Sequence, residues 1–356
     1  QVRALCADLR DAAGHDAVIT IDQEGGRVQR LRPPFWRDWS PPLDFVQAAG
    51  ENAVEAMYLR YRLIAHELHE VGIDSNCAPM VDVAGTQTHD FLRNRCYGTD
   101  PRQVIKLGRA AADGMLAGGV LPVVKHMPGH GRATMDSHFD LPLISASYED
   151  LIAVDFAPFR ALNDLPMGMT AHLVYEALDS RPATLSPVMM QIIRKEIGFD
   201  NLIMTDDISM QALKGSIAVI THDALAAGCD VVLYCNASLK DRAVAADAAG
   251  EMTQAAQLRA ERALAARNDP DDIDIPALTA RLAAEALIVD VDGFEGPLDL
   301  LLTLSRTQKV DLRKISVLQL ARQYLLFVEK AKALRLELAA DYLVMAAWLA
   351  FLKSRL

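Results

Sequence analysis

Short apolar runs alternate with longer, alanine-rich stretches along the first two thirds of the chain. The runs predict six buried strands, at Ala17–Ile21, Gly72–Val83, Val120–Lys125, Pro166–Thr170, Asn201–Thr205 and Asp230–Cys235. The stretches between them have helical patterns, at Glu51–Val71, Pro101–Gly118, Ser186–Ile197 and Ser216–Ala227. This alternation predicts an α/β fold in which crossover helices join parallel strands.

The chain changes character after the sixth predicted strand. Two alanine-rich helices are predicted at Ala248–Ala266 and Ile275–Ala286. Three further helical patterns follow, the first of which begins at Pro297, and they predict a small all-α module. We therefore expect two domains, residues 1–286 and residues 287–356.

Polar residues fall at or just after the ends of the predicted strands. They are Asp22, Asp82, Lys125, His126 and Asp206. Closed (β/α)8 barrels and open doubly wound sheets both build their sites at the carboxyl ends of parallel strands. This placement therefore predicts a site at that edge but leaves both folds open.

Composition narrows the possible partners. The 356 residues carry a formal net charge of −11, which argues against a general nucleic-acid binder, because such proteins need clustered lysine and arginine. The longest apolar run, Leu343–Leu352, is too short to cross a bilayer, so we expect no membrane partner. Five scattered cysteines without a Cys-x-x-Cys pair favour reduced thiols and a cytoplasmic location.

The loop after the third predicted strand concentrates titratable side chains. Lys125, His126 and His130 surround a Pro-Gly-x-Gly turn, and Asp136 and His138 follow closely. A carboxylate beside an imidazole fixes its tautomer, and an imidazole with a pKa of about 6.5 can give and take protons near neutral pH. We therefore interpret Asp136 and His138 as an acid–base dyad. The Pro-Gly pair excludes a helix that would align His126 and His130 on a metal, so no catalytic metal is expected.

Two other strand ends carry paired groups. Asp22 and Arg30 flank a double glycine that lets backbone approach a ligand, and they offer a hydroxyl acceptor and a fixed cation. A turn with a surface ion pair is the alternative there. Asp206 and Asp207 end the fifth predicted strand, where a carboxylate can act as a nucleophile or base. For Asp207, a helix N-cap is the alternative.

Together, four motifs resemble the family-3 glycoside hydrolases, and among them the bacterial cytosolic β-N-acetylglucosaminidases of cell-wall recycling. These motifs are Ile21–Arg30, Lys125–Gly131 with Asp136–His138, Arg181–Pro187 and Met204–Met210. The resemblance covers about residues 1–286. It implies a TIM-type (β/α)8 barrel that here lacks its first two strands, with neither a metal nor a cofactor.

The resemblance also implies a role for each matching position. Asp206 would be the nucleophile, and His138, oriented by Asp136, would be the acid/base. The substrate sugar would be held by Asp22, Arg30, Arg95, Lys125 and His126. The implied reaction is retaining hydrolysis of a terminal β-linked N-acetylglucosamine from a muropeptide or other N-acetylglucosaminide, through a glycosyl-aspartate intermediate. A phosphorylase, a substrate-assisted mechanism that uses Asp206 and Asp207, and an inactive truncated barrel remain alternatives.

Residues 288–356 resemble a different family, the amino-terminal part of the bacterial segregation and condensation protein A, which is a kleisin. The matching segments are Val291–Leu302, Lys309–Leu312 and Ala339–Ala347. The resemblance implies an interaction module for the coiled coil of a chromosome-organising ATPase. A helical cap that packs on the barrel is the alternative.

Overall fold

The computed structural model describes residues 1–137, 139–235 and 237–286. Among them, six strands form one parallel sheet whose spatial order follows the chain order. They are β1 (Thr20–Ile21), β2 (Ser75–Asn76), β3 (Leu121–Met127), β4 (Met167–Thr170), β5 (Leu202–Asp207) and β6 (Val231–Leu233). Because all six run the same way, their carboxyl ends meet at one edge.

Helices connect and flank these strands. They are α1 (Val2–Ala13), α2 (Pro42–Ala49), α3 (Ala53–His69), α4 (Asp90–Arg93), α5 (Pro101–Ala117), α6 (Tyr148–Asp150), α7 (Ala157–Ala161), α8 (Pro187–Gln191), α9 (Ile217–Ala227), α10 (Leu239–Ala249), α11 (Gln254–Ala265) and α12 (Ile275–Ala286). Short 3₁₀ turns lie at Gly50–Asn52 and Ala183–Leu185, and π-helical turns at Leu151–Asp155 and Ile192–Ile197. Two small two-stranded sheets pair Gln23–Gly25 with Val28–Gln29, antiparallel, and Leu143–Ile144 with Val174–Tyr175, parallel.

Alternate residues of the central strands build the core. One buried cluster contains Cys77, Leu121, Val123, Met167, Met169, Leu202, Met204 and Ala263. Six of these are i, i+2 pairs from β3, β4 and β5, as expected where successive side chains point to opposite faces. Ala263 comes from α11, so this helix packs against the same layer. The apolar layer fixes the strands whose carboxyl ends carry the polar residues.

Local sequence explains where the connecting helices start. Asp100 precedes α5 and accepts a hydrogen bond from the amide of Arg102, while Pro101 occupies the first turn, where its missing N–H is not needed. Ser216 caps α9 in the same way through the amide of Val219. These caps begin crossover helices that return the chain to the next strand.

The predicted parallel α/β fold is confirmed, because a strand overlaps each of the six predicted runs, although β3 and β5 each extend two residues beyond theirs. The single helix predicted at Ala248–Ala266 is wrong, since the structure has two helices, α10 and α11. Gly250 ends the first with a φ of 62°, and Thr253 caps the second through the amide of Ala256. The helix α1 and the helical segment that starts at Tyr148 were not predicted.

The described residues fall into two compact units. One contains Gln1–Asp44 and Met57–Ile273, and the other includes Phe45–Ala56 with residues 274–286. The predicted module of residues 287–356 lies outside the described residues, as does His138. Across the described residues, no helix has both the length and the apolar character needed to cross a membrane. All five cysteines are described, and all are free.

Candidate active site

A cavity of about 240 Å³ lies where the strands β1, β3 and β5 end. Its lining residues are Asp22, Arg27, Val28, Arg30, Phe91, Leu92, Arg95, Lys125, His126, His130, Ser137 and Asp206. All five predicted sugar-binding residues are in this lining, together with the predicted nucleophile. Segments separated by more than 180 positions in the sequence thus meet at one cavity.

Glu24 is the centre of a buried ion-pair network at this cavity. Its Oε1 lies 2.6 Å from Lys125 Nζ, and its two carboxylate oxygens accept hydrogen bonds of 2.8 and 2.9 Å from the Arg95 guanidinium. Lys125 Nζ also lies 3.2 Å from Asp22 Oδ1, and Arg30 donates to Asp22 Oδ2 at 2.8 Å. The paired, charge-assisted contacts fix the direction of each side chain.

These contacts keep the network ionised. Burial on its own would favour neutral Glu24, but Arg95 and Lys125 outweigh it and lower the pKa of Glu24 to about 2. The pKa of Asp22 is lowered in the same way, because Lys125 and Arg30 outweigh its desolvation. The pKa of Lys125 is raised, since Glu24 and Asp22 outweigh the burial of the ammonium. At neutral pH the cavity therefore presents fixed charges to a polar ligand.

Asp82 holds two histidines of the loop that follows β3. Its Oδ2 lies 2.7 Å from His126 Nδ1, and its Oδ1 accepts the backbone N–H of His130 at 2.6 Å. Because a carboxylate only accepts hydrogen bonds, Nδ1 of His126 carries a proton, and this bond fixes the orientation of the ring. Burial opposes the ionisation of Asp82, but His126 and His130 outweigh it and lower its pKa.

Asp206 lies near the end of β5 and is ionised. The N–H of Asp207 donates to Asp206 Oδ1 at 2.8 Å. Burial would raise the pKa of Asp206, but His126, His172 and this hydrogen bond together lower it. An ionised carboxylate that lines the cavity has the charge state that a nucleophile requires. Asp207 does not line the cavity, and its carboxylate instead accepts hydrogen bonds from the backbone and hydroxyl of Ser209 and from the backbone N–H of Cys235.

His172 lies just after β4 and contacts the end of β5. Its Nε2 lies 3.1 Å from the carbonyl oxygen of Asp207, and its Nδ1 lies 2.7 Å from Thr184 Oγ1. Thr184 belongs to the Arg181–Pro187 motif and also donates to the carbonyl of Ala171. This motif therefore acts on the site through His172, without lining the cavity itself.

The loop of the predicted dyad is described in part. Asp136 is half-buried, and its carbonyl accepts the backbone N–H groups of Phe139 and Asp140. Ser137 lines the cavity, and its Oγ lies 3.2 Å from His130 Nε2. His138 lies outside the described residues, so the dyad of Asp136 and His138 stays a prediction.

Sequence reasoning missed Glu24 and His172 and gave no role to Asp82. Signals for all three were present. Glu24 lies two positions after Asp22 in an extended segment, where such residues face the same side. His172 follows β4 by two positions, which matches the strand-end rule that identified Asp22 and Asp206.

A family model and curated relatives both match this chain, and they agree on its family. The model of the glycosyl hydrolase family 3 N-terminal domain matches residues 3–267. A β-hexosaminidase of Methylococcus capsulatus is 39% identical over 242 residues, which cover 66% of this chain and 71% of the relative. A β-hexosaminidase of Tolumonas auensis is 37% identical over 244 residues, with the same two shares.

Solved structures agree. The structure of native NagZ from Neisseria gonorrhoeae superposes with a TM-score of 0.67 at 29% identity, over 80% of this chain and 84% of that one. A family 3 β-N-acetylglucosaminidase from Paenibacillus sp. gives a TM-score of 0.70 at 29% identity, over 80% of this chain and 60% of that one. The chain belongs to glycosyl hydrolase family 3 and is a glycoside hydrolase.

Proposed function

We propose that this chain is a retaining exo-β-N-acetylglucosaminidase that releases terminal β-linked N-acetylglucosamine from muropeptide-like substrates. The observation that carries the proposal is the single cavity in which ionised Asp206 meets the Glu24 network and the Asp82–His126 pair. The names of the relatives, β-hexosaminidase and β-N-acetylglucosaminidase, support the choice of sugar. The predicted cytoplasmic location stays a prediction.

Binding would use groups whose directions are already fixed. Asp22 and Lys125 offer an acceptor and a donor to neighbouring sugar hydroxyls, and each is held by its own ion pair. His126, held at Nδ1 by Asp82, presents its other ring nitrogen to a sugar hydroxyl. Arg95 supplies a further buried cation that Glu24 holds in two places. Such preorganisation lowers the entropy cost of positioning the substrate.

The chemistry would proceed in two displacements. Asp206 attacks the anomeric carbon while His138 donates a proton to the glycosidic oxygen, so that the C1–O bond breaks and the alcohol leaves. Water then attacks the same carbon, His138 takes its proton, and the bond to Asp206 breaks. A histidine would thus replace one of the two carboxylates that most glycosidases use.

A second candidate is a phosphorylase, in which inorganic phosphate replaces water in the second displacement. The charge of the cavity favours it. Among the described lining residues, Arg27, Arg30, Arg95 and Lys125 are cationic and Asp22 and Asp206 are carboxylates, so the cations outnumber the carboxylates even when Glu24, which pairs with Arg95 and Lys125, is counted. Arginine and lysine are the usual ligands of phosphate in proteins. The product would then be the sugar 1-phosphate.

Hydrolysis of a chromogenic β-N-acetylglucosaminide tests the proposal. We expect turnover by the 356-residue chain, a loss of at least about 1,000-fold in Asp206→Asn, and near-normal turnover in Asp207→Asn, whose carboxylate binds Ser209. Adding phosphate should leave free N-acetylglucosamine as the product. Production of sugar 1-phosphate would favour the phosphorylase, and equal activity of Asp206→Asn and the unsubstituted chain would refute both candidates.

The kleisin resemblance of residues 288–356 concerns residues outside the described part of the chain. We propose it as an interaction segment on the sequence motifs alone. Binding of the purified chain to the coiled coil and head of a chromosome-organising ATPase, measured by calorimetry, would support it. No binding by the whole chain would count against it.

A further inference from the structure

His172 contacts the backbone directly beyond the proposed nucleophile. The pairing of β4 with β5 extends to Met169 and Met204. Three residues further along β5, the carbonyl oxygen of Asp207 lies 3.1 Å from Nε2 of His172. Because a carbonyl oxygen only accepts hydrogen bonds, Nε2 carries a proton and donates it. The imidazole therefore takes the place of a backbone donor where the ladder between the two strands has ended.

Thr184 holds the imidazole from its other side. Both side chains are fully buried, so water does not compete for their contacts. Burial outweighs the charge of Asp206 and lowers the pKa of His172, so the ring is neutral near pH 7 and its Nδ1 accepts. The Thr184 hydroxyl can turn between Nδ1 at 2.7 Å and the carbonyl oxygen of Ala171 at 3.1 Å. Thr184 thus keeps the Nε2 proton directed at Asp207.

The backbone of Asp207 in turn holds the proposed nucleophile. Its N–H donates to Asp206 Oδ1 at 2.8 Å. The next peptide group is fixed on both sides, because its carbonyl accepts from His172 and the N–H of Ile208 donates to the carbonyl of Leu233 at 2.9 Å. Within the described part of the chain, Oδ2 of Asp206 takes no hydrogen bond. This oxygen is therefore the one left to attack the anomeric carbon.

We propose that His172 is a positioning residue for the nucleophile: its hydrogen bond to the Asp207 carbonyl keeps the Asp207 N–H on Oδ1 of Asp206 and leaves Oδ2 aligned for attack. Thr184 acts through His172 by fixing its ring. This inference rests on the proposed function, which makes Asp206 the nucleophile. It adds two residues that act on the reaction without lining the cavity.

Two substitutions of His172 test the contact. His172→Gln keeps an amide N–H close to the position of Nε2, whereas His172→Met has no donor. With a chromogenic β-N-acetylglucosaminide, we expect His172→Met to lower kcat about 100-fold, the effect that a small displacement of a reacting group can have. KM should change by less than about threefold, because the contact does not bind the sugar. His172→Gln should lose about tenfold or less.

Substitutions of Thr184 test the same contact without changing the buried imidazole. Thr184→Val keeps the branched shape but removes the hydroxyl, and it should lower kcat about tenfold, the size typical of one buried hydrogen bond. Thr184→Ser keeps the hydroxyl and should retain most of the activity. Thr221→Val is the matched control, because Thr221 is also fully buried and its hydroxyl has no hydrogen-bond partner among the described residues. That variant should keep the full kcat.

The pKa of Asp206 gives a measurement that does not depend on turnover. Burial raises this pKa, and the groups that together lower it are His126, His172, the N–H of Asp207 and Lys125. Losing the His172 contact should therefore raise it. Carbon-13 NMR of the Asp206 carboxyl, assigned with Asp206→Asn, should show a higher pKa in His172→Met and no change in Thr221→Val. The acidic limb of kcat/KM should move to higher pH by the same amount.

Several results would overturn the inference. They are an unchanged kcat in both His172→Met and Thr184→Val, an equal loss in Thr221→Val and Thr184→Val, and a loss that a rise in KM explains entirely. The NMR titration separates the two proposals. A raised Asp206 pKa in His172→Met, without turnover by the unsubstituted chain, would support the inference and refute the glycosidase. Equal turnover by the unsubstituted chain and both variants would do the reverse.

Discussion

Replacing Glu24 with glutamine tests the buried network that organises the cavity. The substitution keeps the shape of the side chain but removes the charge that faces Lys125 and Arg95. The side chains of Glu24 and Lys125 are 1% and 2% exposed, so water cannot replace the lost carboxylate. We therefore expect the variant to be much less stable and to bind sugar poorly, because the Lys125 ammonium and the Arg95 guanidinium lose the partner that directs them.

Two routes give a similar magnitude. Lowering the pKa of Glu24 from 4.5 to about 2 corresponds to about 3 kcal/mol of folding free energy at neutral pH. Removing one partner from a buried ion pair typically costs about 3–5 kcal/mol. We expect Glu24→Gln to lower the free energy of unfolding by about 3 kcal/mol at pH 7.

Urea unfolding followed by tryptophan fluorescence measures this difference. Because the folded pKa of Glu24 lies below the unfolded value, its stabilisation is complete above about pH 4.5 and is lost as the pH falls through about 2. The gap between the two proteins should therefore close over that range. Glu70→Gln is the control, since the Glu70–Arg3 pair is exposed and should contribute less than about 1 kcal/mol. Equal losses in the two variants, or a gap that does not change with pH, would refute the reasoning.

Three further substitutions give separate tests. Asp82→Asn should lower kcat/KM about 100-fold, because His126 and His130 lose the carboxylate that positions them. Steady-state kinetics on a chromogenic substrate measures this loss. Burial raises the pKa of Asp155 to about 6 despite its hydrogen bond from Arg132. As the pH rises, Asp155 therefore loses its proton at a lower pH in the unfolded chain than in the folded one, so the free energy of unfolding falls between about pH 4 and pH 6. Asparagine does not titrate, so the free energy of unfolding of Asp155→Asn should rise by about 3 kcal/mol relative to the unsubstituted chain between about pH 4 and pH 6. Urea unfolding of both proteins at each pH measures this difference, and a difference that does not change with pH would contradict the reasoning. Gly131→Ala should cost about 2 kcal/mol or more in urea unfolding, because its Cβ would lie 2.0 Å from the carbonyl oxygen of Val83, a backbone atom that cannot rotate away.

The strands could be predicted because each buried run is apolar and bounded by turn residues. Their ends were harder to place. The run Gly72–Val83 forms a ladder only at Ser75–Asn76, with one later bridge at Met80. Pro79 has no N–H to donate, so the apolar pattern continues where the ladder cannot. The hydrophobic pattern of a sequence therefore predicts which residues are buried, whereas strand pairing also requires backbone N–H groups that can donate.

The sequence predicted where the site residues lie but not which of them form ion pairs with each other. Asp22, Lys125 and Asp206 were found because parallel strands end at one edge. The sequence could not show that Glu24 neutralises two cations, because that pairing joins segments about 70 to 100 positions apart.

A covalent trap on Asp206 tests the central claim most directly. A 5-fluoro N-acetylglucosaminyl fluoride should transfer its sugar to the enzyme quickly, and the resulting glycosyl-enzyme should hydrolyse slowly. After digestion, mass spectrometry should find the added fluorinated sugar on the peptide that contains Asp206, with none on Asp206→Asn. Strong inhibition by a thiazoline analogue, together with turnover of the fluoride and no adduct at Asp206, would contradict the account.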